Sequence, residues 1–575
     1  MDSQTRQRKD LGAFYTPIHL ANSLTKTAIE QFLIVQVNTK TSSEFLSLEE
    51  VLLTPNLCII EELQNILEEI RILDGSTGDG RFLKACLITI KLIKEEINNR
   101  LGLEKKPSKE ALLNIIASNL FGMEINSKTA LLCYNTLSKV ISNFNLASMN
   151  KIMNNNIIIS DFLESSLSDW TQLPSTSRGF DIILGNPPWG GKLTKDQREY
   201  YYNKFELQSP KRNLNTFSLF VYQATNMLNP NIGILAYLLP KNVARSNQYT
   251  YLREFLVKNF QILSIDFHGL FQDVTQEFIS LIGLNNRNTP SDHYVIIDGK
   301  TRVPQDLYLT NIDFIFTKDF DPQSKKLIQL INKNSILLGH FLEIRRGEEL
   351  SKRGGIMYCP NCKEWVPLSS RKSNIICSSC KQSLNEDTLE TKFLIKKYPT
   401  SCHTQPILTG DDFESYSIHN AHFIDPTVEF RSKKNTSIYK SPKIVIQKIK
   451  PYLCAAYDSN EHWTTQNVYN LVLKPKYSDN PDLLYYILSV LNSSLYRWFY
   501  ENQFNLGSKY TNAISIHNLR RLPIKNPDYD DSLFYKIVQL AKKVTSDNVQ
   551  ENKSTSDLNK LILRYYHIDK TSSLL

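Results

Sequence analysis

The sequence predicts an α/β fold in its first half, with a doubly wound and mostly parallel sheet, and a separate α+β domain in its second half. Between residues 73 and 285, short apolar runs alternate with amphipathic stretches of helical length. That alternation is typical of strands joined by crossover helices. With 575 residues, the chain is long enough for two or three domains, each with its own core.

The predicted elements follow one another in the order that such a sheet requires. Strands are expected at 71–74, 119–124, 157–160, 180–185 and 233–240, and helices at 82–100, 128–144 and 217–228. Residues 286–335 contain three prolines and resemble a transition between domains. We therefore expect a first domain over residues 1–325, a second over 336–525, and a helical tail over 526–575.

Composition and charge narrow the class of protein without identifying it. Charged residues make up 22% and hydrophobic residues 41% of the chain, which is ordinary for globular proteins. No apolar run reaches the length of a membrane span, and residues 1–10 lack the apolar core of a signal peptide. We expect a cytoplasmic protein with no membrane partner. The net charge of +9 suits a polyanionic partner.

The first candidate site is a rigid turn at the end of a predicted strand. The apolar run 180–185 ends in Asn186-Pro187-Pro188-Trp189, and the two prolines prevent the strand from continuing. Ligands of open α/β sheets bind at the carboxyl ends of the strands. The Asn186 carboxamide and a backbone carbonyl of the turn are suited to accept both hydrogens of an amine on a flat ring, on which Trp189 can stack. Taken alone, the turn fits equally well a structural Asn cap beside a core Trp.

A second motif is a glycine-rich turn after another strand. Residues 71–83 read as a strand, a turn with Gly75, Gly78 and Gly80, and the first turn of a helix. These glycines allow the backbone to approach a ligand closely. The spacing differs from the dinucleotide fingerprint, and no Gly-Lys-Ser/Thr follows, which argues against a phosphate-binding loop.

Two further strands end in acidic residues. Glu124 follows the strand at 119, where it is suited to hold ribose hydroxyls, and Asp161-Phe162 follows the strand at 157, where the pair is suited to hold and stack on an adenine. Each acid alone is more often a strand-end cap. Four such motifs in this order are difficult to explain as caps.

In these motifs the sequence resembles the gamma-class, adenine-N6-specific DNA methyltransferases of restriction-modification systems, including type II and type IIG enzymes. The resemblance implies a Rossmann-like methyltransferase sheet that binds S-adenosyl-L-methionine (AdoMet). It assigns Asn186 to Trp189 to catalysis and Phe271 to the ring that sandwiches a flipped adenine. It assigns the remaining motifs to the cofactor, at Tyr15, Thr16, Pro17, Asp74, Gly75, Ser76, Thr77, Gly78, Gly80, Glu124, Ile125, Asp161 and Phe162.

The nine cysteines include two closely spaced pairs. Cys359 and Cys362 form one C-x-x-C pair, and Cys377 and Cys380 form a second, separated by fourteen residues. This spacing predicts a four-thiolate zinc ribbon over residues 357–382, with a structural metal. A redox pair or a degenerate site remains an alternative. Lysines and arginines surround the motif, so a DNA-contacting surface and a solvated face are both open.

The second domain fits recognition of double-stranded DNA. Residues 443–450 alternate basic or polar side chains with apolar ones, which predicts a strand with a basic face, and 464–469 offers amides and hydroxyls for base edges. An amphipathic helix is expected over 484–500. A weaker resemblance links this region to the specificity domains of type II and type IIG methyltransferases. We also expect that a separate cognate restriction endonuclease or a defence-complex subunit is a partner.

Three other functions fit parts of the sequence. Protein glutamine methyltransferases also use Asn-Pro-Pro-aromatic, but do not need a zinc-bearing basic domain. A fused enzyme that also cleaves DNA would need a nuclease site. The pattern Asp292 with Asp298-Gly299-Lys300 reads more simply as a turn after the strand 294–297, and no room is expected before the cofactor motif for an N-terminal nuclease. A non-catalytic DNA-binding subunit would not need intact motifs.

Overall fold

The computed structural model describes most of the chain. The described residues are 16–103, 109–141, 155–171, 173, 178–190, 193–208, 214–269, 277–317, 322–368, 375–377, 380–384, 389–440, 442–450, 452–504, 513–546 and 552–568. They fold as two compact units that divide at residue 320. The predicted boundary at residue 325 lies inside a helix, Pro322–Asn332, of the second unit.

The first unit is built on one nine-stranded sheet. In the described residues its strands are β1 Ile72–Asp74, β2 Leu120–Met123, β3 Ile157–Ile158, β4 Ile182–Gly185, β5 Ile234–Pro240, β6 Gln261–His268, β7 Phe278–Leu284, β8 Tyr294–Ile297 and β9 Thr301–Pro304. Their order is β3-β2-β1-β4-β5-β7-β6-β8-β9. The first five are parallel, and β7 runs antiparallel between β5 and β6. The predicted α/β sheet is confirmed.

Helices cover both faces of this sheet. They are α1 Ile18–Thr41, α2 Leu48–Leu53, α3 Leu57–Glu69, α4 Arg81–Leu101, α5 Lys109–Asn119, α6 Ser127–Ile141, α7 Lys195–Lys204, α8 Thr216–Met227, α9 Thr250–Asn259 and α10 Gln305–Thr310. Because strand side chains alternate, Ile72 packs into a core with α1, α3 and α4, while Leu73 packs into a second core with α8 and α9. Burial on both faces explains why the central strands are continuous apolar runs.

The second unit contains several small sheets. Its strands are β10 Ser335–Leu337, β11 Leu342–Arg346, β12 Gly355–Cys359, β13 Glu364–Pro367, β14 Ile375–Ile376, β15 Ser383–Leu384, β16 Thr391–Phe393, β17 Ile395–Lys396, β18 Gln405–Leu408, β19 Phe413–Glu414, β20 Ser417–Ile418, β21 His422–Ile424, β22 Lys443–Gln447, β23 Ala455–Asp458, β24 Trp463–Thr464, β25 Val468–Leu473 and β26 Pro523–Lys525. The antiparallel sheet β11-β25-β22-β23 contains its longest strand, β25.

The helices of the second unit lie mainly towards its end. They are α11 Pro322–Asn332, α12 Leu338–Phe341, α13 Asp482–Leu491, α14 Ser494–Gln503, α15 Ile516–Arg520, α16 Ser532–Ser546 and α17 Asn552–Tyr565. Helix α16 packs against both α13 and α17. The single helix expected over 484–500 is wrong. The Asn492 side chain pairs with both backbone groups of Ala455, at 3.0 and 2.9 Å, and Ser493 caps a new helix.

Candidate active site and cysteine cluster

The sequence motifs of the first unit meet at one edge of the sheet. Strands β1, β2, β3 and β4 are neighbours and parallel, so their carboxyl ends lie side by side. The Gly78 N–H donates to Glu124 Oε2 at 3.0 Å, and the Ser76 hydroxyl donates to the Asn186 carbonyl at 3.3 Å. The glycine-rich turn therefore contacts both the acid after β2 and the turn after β4.

Asp74 lies at the centre of this edge and is fully buried. Its Oδ1 accepts the Ser76 N–H at 3.0 Å, while Oδ2 has no hydrogen-bond partner among the described residues. Burial, together with repulsion from Glu124 and Asp79 and opposed by the Ser76 hydrogen bond, raises the pKa of Asp74 to about 7. A buried carboxylate with an unused oxygen is suited to a cationic ligand group.

Two glycines make this crowding possible. A Cβ at Gly185, where φ is +145°, would lie 2.7 Å from Asp74 Oδ1. A Cβ at Gly75 would lie 2.9 Å from the Phe162 ring. The rest of the turn is held by its backbone, since Thr77 N–H donates to the Met123 carbonyl and Gly80 N–H to the Thr77 carbonyl.

Both acids that follow β2 and β3 are fixed by backbone amides. Glu124 accepts from Gly78 and Asn126, and burial raises its pKa. Each carboxylate oxygen retains further lone pairs for a ligand. Ile125 is 66% exposed beside it, as a residue that covers a ligand would be. Asp161 Oδ1 accepts the Leu163 N–H at 2.9 Å.

The ring of Phe162 differs from the stacking role expected of it. It is only 2% exposed, and its centroid lies 5.0 Å from that of Phe220 on α8. Its other neighbour is the backbone of Gly75. Phe162 therefore supports the glycine-rich turn from within the core instead of presenting a face to a ligand.

The turn after β4 is anchored on two sides. Asn186 is half-buried, and its Nδ2 donates to Thr16 Oγ1 at 3.2 Å. Pro187 is buried and Pro188 half-buried. The Trp189 indole N–H donates to the Leu238 carbonyl at 3.3 Å, and its ring centroid lies 6.3 Å from that of Phe278.

The N-terminal motif is partly described. Pro17 precedes α1, and its carbonyl accepts the Leu20 and Ala21 N–H groups. The Thr16 carbonyl accepts from Arg81 Nη1 at 2.7 Å. Sequence reasoning did not assign a role to Arg81, although its place directly after the glycine-rich turn was a signal. Two other predicted site residues, Tyr15 and Phe271, lie outside the described residues.

The four cysteines form a compact cluster in the second unit. Their sulfur atoms all lie within 4.8 Å of one another, and the pairs Cys359–Cys380 and Cys362–Cys377 are 3.7 Å apart. Each C-x-x-C is followed by a lysine with positive φ, 56° at Lys363 and 62° at Lys381, whose N–H donates to the carbonyl of the first cysteine. The same closing hydrogen bond therefore follows both cysteine pairs, and the four sulfurs lie close to one point.

Two details of the expected recognition surface are wrong. Strand β22 is buried along its length, and Lys443 pairs with buried Asp458 at 2.6 Å, so the strand has no basic face. Thr464 and Thr465 are buried too, and the Thr464 hydroxyl accepts from Asn470. The half-buried Gln466 and Asn467 remain accessible.

Cations gather instead where β11 and β22 end. Arg346 and Ile446 pair with Tyr469 from opposite sides, which places Arg346 beside the residues that follow β22. Burial and the charge of Arg346 lower the pKa of Lys448. Arg497 and Lys450 lie 4.3 and 5.8 Å from the centroid of the Tyr452 ring. We call Arg346, Lys448, Lys450 and Arg497 the basic edge.

Comparison of sequences identifies two regions of the chain. Residues 118–272 match the Eco57I restriction-modification methylase family, and residues 405–524 match the TaqI-like C-terminal specificity domain. A putative type II restriction enzyme and methyltransferase from Methanocaldococcus jannaschii is 25% identical over 404 residues, which is 65% of this chain and 30% of the relative. The type II methyltransferase M.VspI from a Vibrio species is 24% identical over 202 residues, 34% of this chain and 44% of the relative. The alignments thus span less than half of either relative.

Solved structures show the same architecture. The type IIL restriction-modification enzyme MmeI, solved in complex with DNA, superposes with a TM-score of 0.61 at 13% identity, over 100% of this chain and 78% of that chain. A nuclease-deletion mutant of the type ISP enzyme LlaGI, with a DNA substrate mimic, gives a TM-score of 0.50 at 12% identity, over 94% and 47%. The fold is thus that of restriction-modification enzymes.

The two matched regions agree with the fold: part of the first unit is similar to an Eco57I-type restriction-modification methylase, and part of the second is similar to a TaqI-like specificity domain. The resemblance seen in the sequence motifs is confirmed at this level. Among the described residues, no helix combines the length and the apolar character needed to cross a bilayer.

Proposed function

We propose that the chain transfers a methyl group from AdoMet to the N6 amino group of an adenine in double-stranded DNA. The observation that carries this proposal is the contact between the Asn-Pro-Pro-Trp turn and the glycine-rich turn, made by Ser76 and Asn186. This contact places the Asn186 turn, which is suited to bind an amine, next to the glycine-rich turn, which is suited to bind a nucleoside. The match of residues 118–272 to the Eco57I restriction-modification methylase family supports methyl transfer.

The residues around Asp74 fit AdoMet. The unused Oδ2 of Asp74 faces a cationic group, such as the ammonium of the methionine part. Glu124, which already accepts two backbone N–H groups, holds ribose hydroxyls with its remaining lone pairs. Ile125 and the backbone near Asp161 cover and contact the adenine. When bound, the cofactor supplies a methyl group on a positively charged sulfur.

The target amine is held by Asn186 and the turn that follows it. The carboxamide oxygen and the Pro187 carbonyl accept its two hydrogens and leave the nitrogen lone pair directed at the methyl carbon. The same two acceptors would stabilise the positive charge that develops on the amine nitrogen until that nitrogen releases a proton to solvent. Positioning and preorganised dipoles supply the rate enhancement, without a covalent enzyme intermediate.

DNA is the substrate that best suits the second unit. The basic edge groups four cations, and its two lysines flank Ile449, which is 58% exposed. Cations contact phosphates, and nearby amides such as Gln466 and Asn467 read base edges. The MmeI and LlaGI structures were solved in complex with DNA and with a DNA substrate mimic. To reach the active site, the adenine is rotated out of the helix, which costs a few kcal/mol.

The four-cysteine cluster is proposed to hold a structural zinc ion. A tetrahedral ZnS₄ site with bonds of about 2.3 Å requires sulfur atoms about 3.8 Å apart, and the pairs here are separated by 3.7 Å. Four protein ligands complete the coordination, so no position is left for a substrate. The metal would fix the hairpins β12–β13 and β14–β15 to each other.

The Methanocaldococcus relative is described as a putative type II restriction enzyme and methyltransferase, which combines methylation with cleavage. That name describes a protein of which this alignment covers 30%. We propose methylation for this chain, with cleavage by a separate cognate endonuclease or another subunit of a defence complex. A fused enzyme that also cleaves DNA is the alternative.

The test compares Asn186→Ala with the wild type and with Asn288→Ala, a control in an exposed turn. Each protein is expressed in a host whose genomic DNA is then sequenced with detection of modified bases. Wild type and control should produce N6-methyladenine at one sequence, while Asn186→Ala should reduce methylation by about 100-fold or more. AdoMet affinity, measured by calorimetry, should stay within a few-fold. Modification by Asn186→Ala at the wild-type rate, or a modified base other than adenine, would contradict the proposal.

A further inference from the structure

Thr16 joins the N-terminal motif to the proposed catalytic turn. Its hydroxyl accepts a hydrogen bond from Asn186 Nδ2 at 3.2 Å, although the two residues are 170 positions apart in sequence. Thr16 is 5% exposed, so water competes little for this contact. The side chain of Asn186 is thereby held by one residue and its backbone carbonyl by another, Ser76.

Thr16 is in turn held by the helix that follows the glycine-rich turn. Arg81 is the first residue of α4, and its Nη1 donates to the Thr16 carbonyl at 2.7 Å. The Arg81 Nε donates to Asp79 Oδ2, also at 2.7 Å, and the two side chains are 32% and 22% exposed. A continuous series of polar contacts therefore runs from Asp79 through Arg81 and Thr16 to Asn186.

We infer that Thr16 is a positioning residue for Asn186, and that Arg81 sets the location of Thr16. A carboxamide can turn by half a rotation and exchange its donor and acceptor ends. In this structure the Thr16 hydroxyl accepts from the amide nitrogen, which holds the plane of the carboxamide with that end towards Thr16. The amide oxygen is then the end kept for the substrate amine. This inference rests on the proposed function, since it gives that oxygen its task.

The series also links the two halves of the reaction. Asp79 and Arg81 border the glycine-rich turn that is proposed to hold AdoMet, and Asn186 holds the target amine. A cofactor that orders this turn would also order Arg81, then Thr16, and so fix Asn186 for the second substrate. We expect AdoMet to raise the affinity of the enzyme for DNA with an adenine in its site, and less so once the Thr16 hydroxyl is removed.

The experiment compares Thr16→Val, which keeps the shape and removes the hydroxyl, with Thr16→Ser, which keeps the hydroxyl. Thr39→Val, an exposed substitution on α1, is the matched control. Thr16→Val should lower kcat about ten-fold, because one hydrogen bond in the transition state is lost. The readout is kcat at saturating AdoMet, since the N-terminal motif also assigns Thr16 to the cofactor. Thr16→Ser should recover most of kcat. Equal losses in the Val and Ser variants, or wild-type kcat in Thr16→Val, would overturn the inference.

A second measurement separates this inference from the proposed function. Neutron crystal structures of the wild type and of Thr16→Val, in which the amide nitrogen is distinguished from the oxygen, show the orientation of the Asn186 carboxamide whether or not DNA is methylated. We expect the carboxamide to be rotated or spread over two orientations in Thr16→Val, and single in the wild type and in Thr16→Ser. The same single orientation in all three would overturn the inference. Absence of methylation by the wild type would instead refute the proposed function.

Discussion

Asp74 has a charge that depends on pH near neutrality. Its pKa is raised from 3.8 to about 7. Because this pKa is higher in the folded protein than in the unfolded chain, protonation of Asp74 favours the folded state at low pH. That contribution to the free energy of unfolding is lost as the pH rises through about 7. An ammonium group of a bound ligand would instead favour the ionised form of Asp74, because it pairs with the carboxylate.

We therefore predict that AdoMet binds more tightly as the pH rises from about 6 to about 7.5, a range that brackets the Asp74 pKa. Asp74→Asn should weaken binding by at least about ten-fold near neutral pH and flatten its pH dependence. Calorimetry at several pH values gives both quantities, with the exposed Asp196→Asn as the control. A pH dependence that persists in Asp74→Asn would assign the titration to another group.

At the residue scale, the motifs located the candidate site, but not the orientation of each side chain. Phe162 follows Asp161 whether its ring faces a ligand or the core, and the choice depends on Phe220 and Gly75, which are distant in sequence. The contact between Thr16 and Asn186 likewise depends on where α1 packs on the sheet. Such contacts are set by tertiary packing, which no local pattern contains.

At the scale of elements, local periodicity predicted the strands and helices of the first unit and was less informative in the second. The apolar pattern over 484–500 continues through Asn492, and only the pairing of that side chain with Ala455 ends the helix. Lys443 would face solvent in an isolated strand. It is buried because Asp458 stands opposite it in the β22–β23 hairpin, where His462 also contacts the carboxylate.

The two cysteine hairpins give a prediction at this scale. The purified protein should contain one zinc ion per chain, and Cys359→Ser should lose it and destabilise the second unit by more than about 3 kcal/mol. Elemental analysis and thermal unfolding measure the two effects, with Cys402→Ser, at an exposed cysteine outside the cluster, as the control. AdoMet binding by the first unit should be unchanged. Wild-type protein prepared without chelator that contains no zinc would refute the site.

At the scale of the whole molecule, the two units differ in how strongly the sequence constrains them. The first has a large buried sheet, and its strand order follows from crossover connections that tolerate few alternatives. The second consists of short strands in several small sheets, for which residue patterns leave many pairings open. The basic edge illustrates this: its four cations come from β11, from the segment after β22 and from α14, and only the fold brings them together.

The basic edge is expected to determine how DNA binding depends on salt. Each phosphate neutralised by the protein contributes a slope of about 0.9 in log K against log salt concentration. The double variant Lys448→Gln/Lys450→Gln should therefore lower the slope by between one and two, and weaken binding to every duplex by a similar factor, because phosphate contacts position the protein and do not read sequence. The control is Lys536→Gln/Lys543→Gln, which removes the same charge from exposed positions on α16. Binding is measured by fluorescence anisotropy at several salt concentrations.

An equal loss of slope in both double variants would show that net charge, and not this edge, attracts DNA. An unchanged slope in Lys448→Gln/Lys450→Gln would place the DNA on another surface of the second unit.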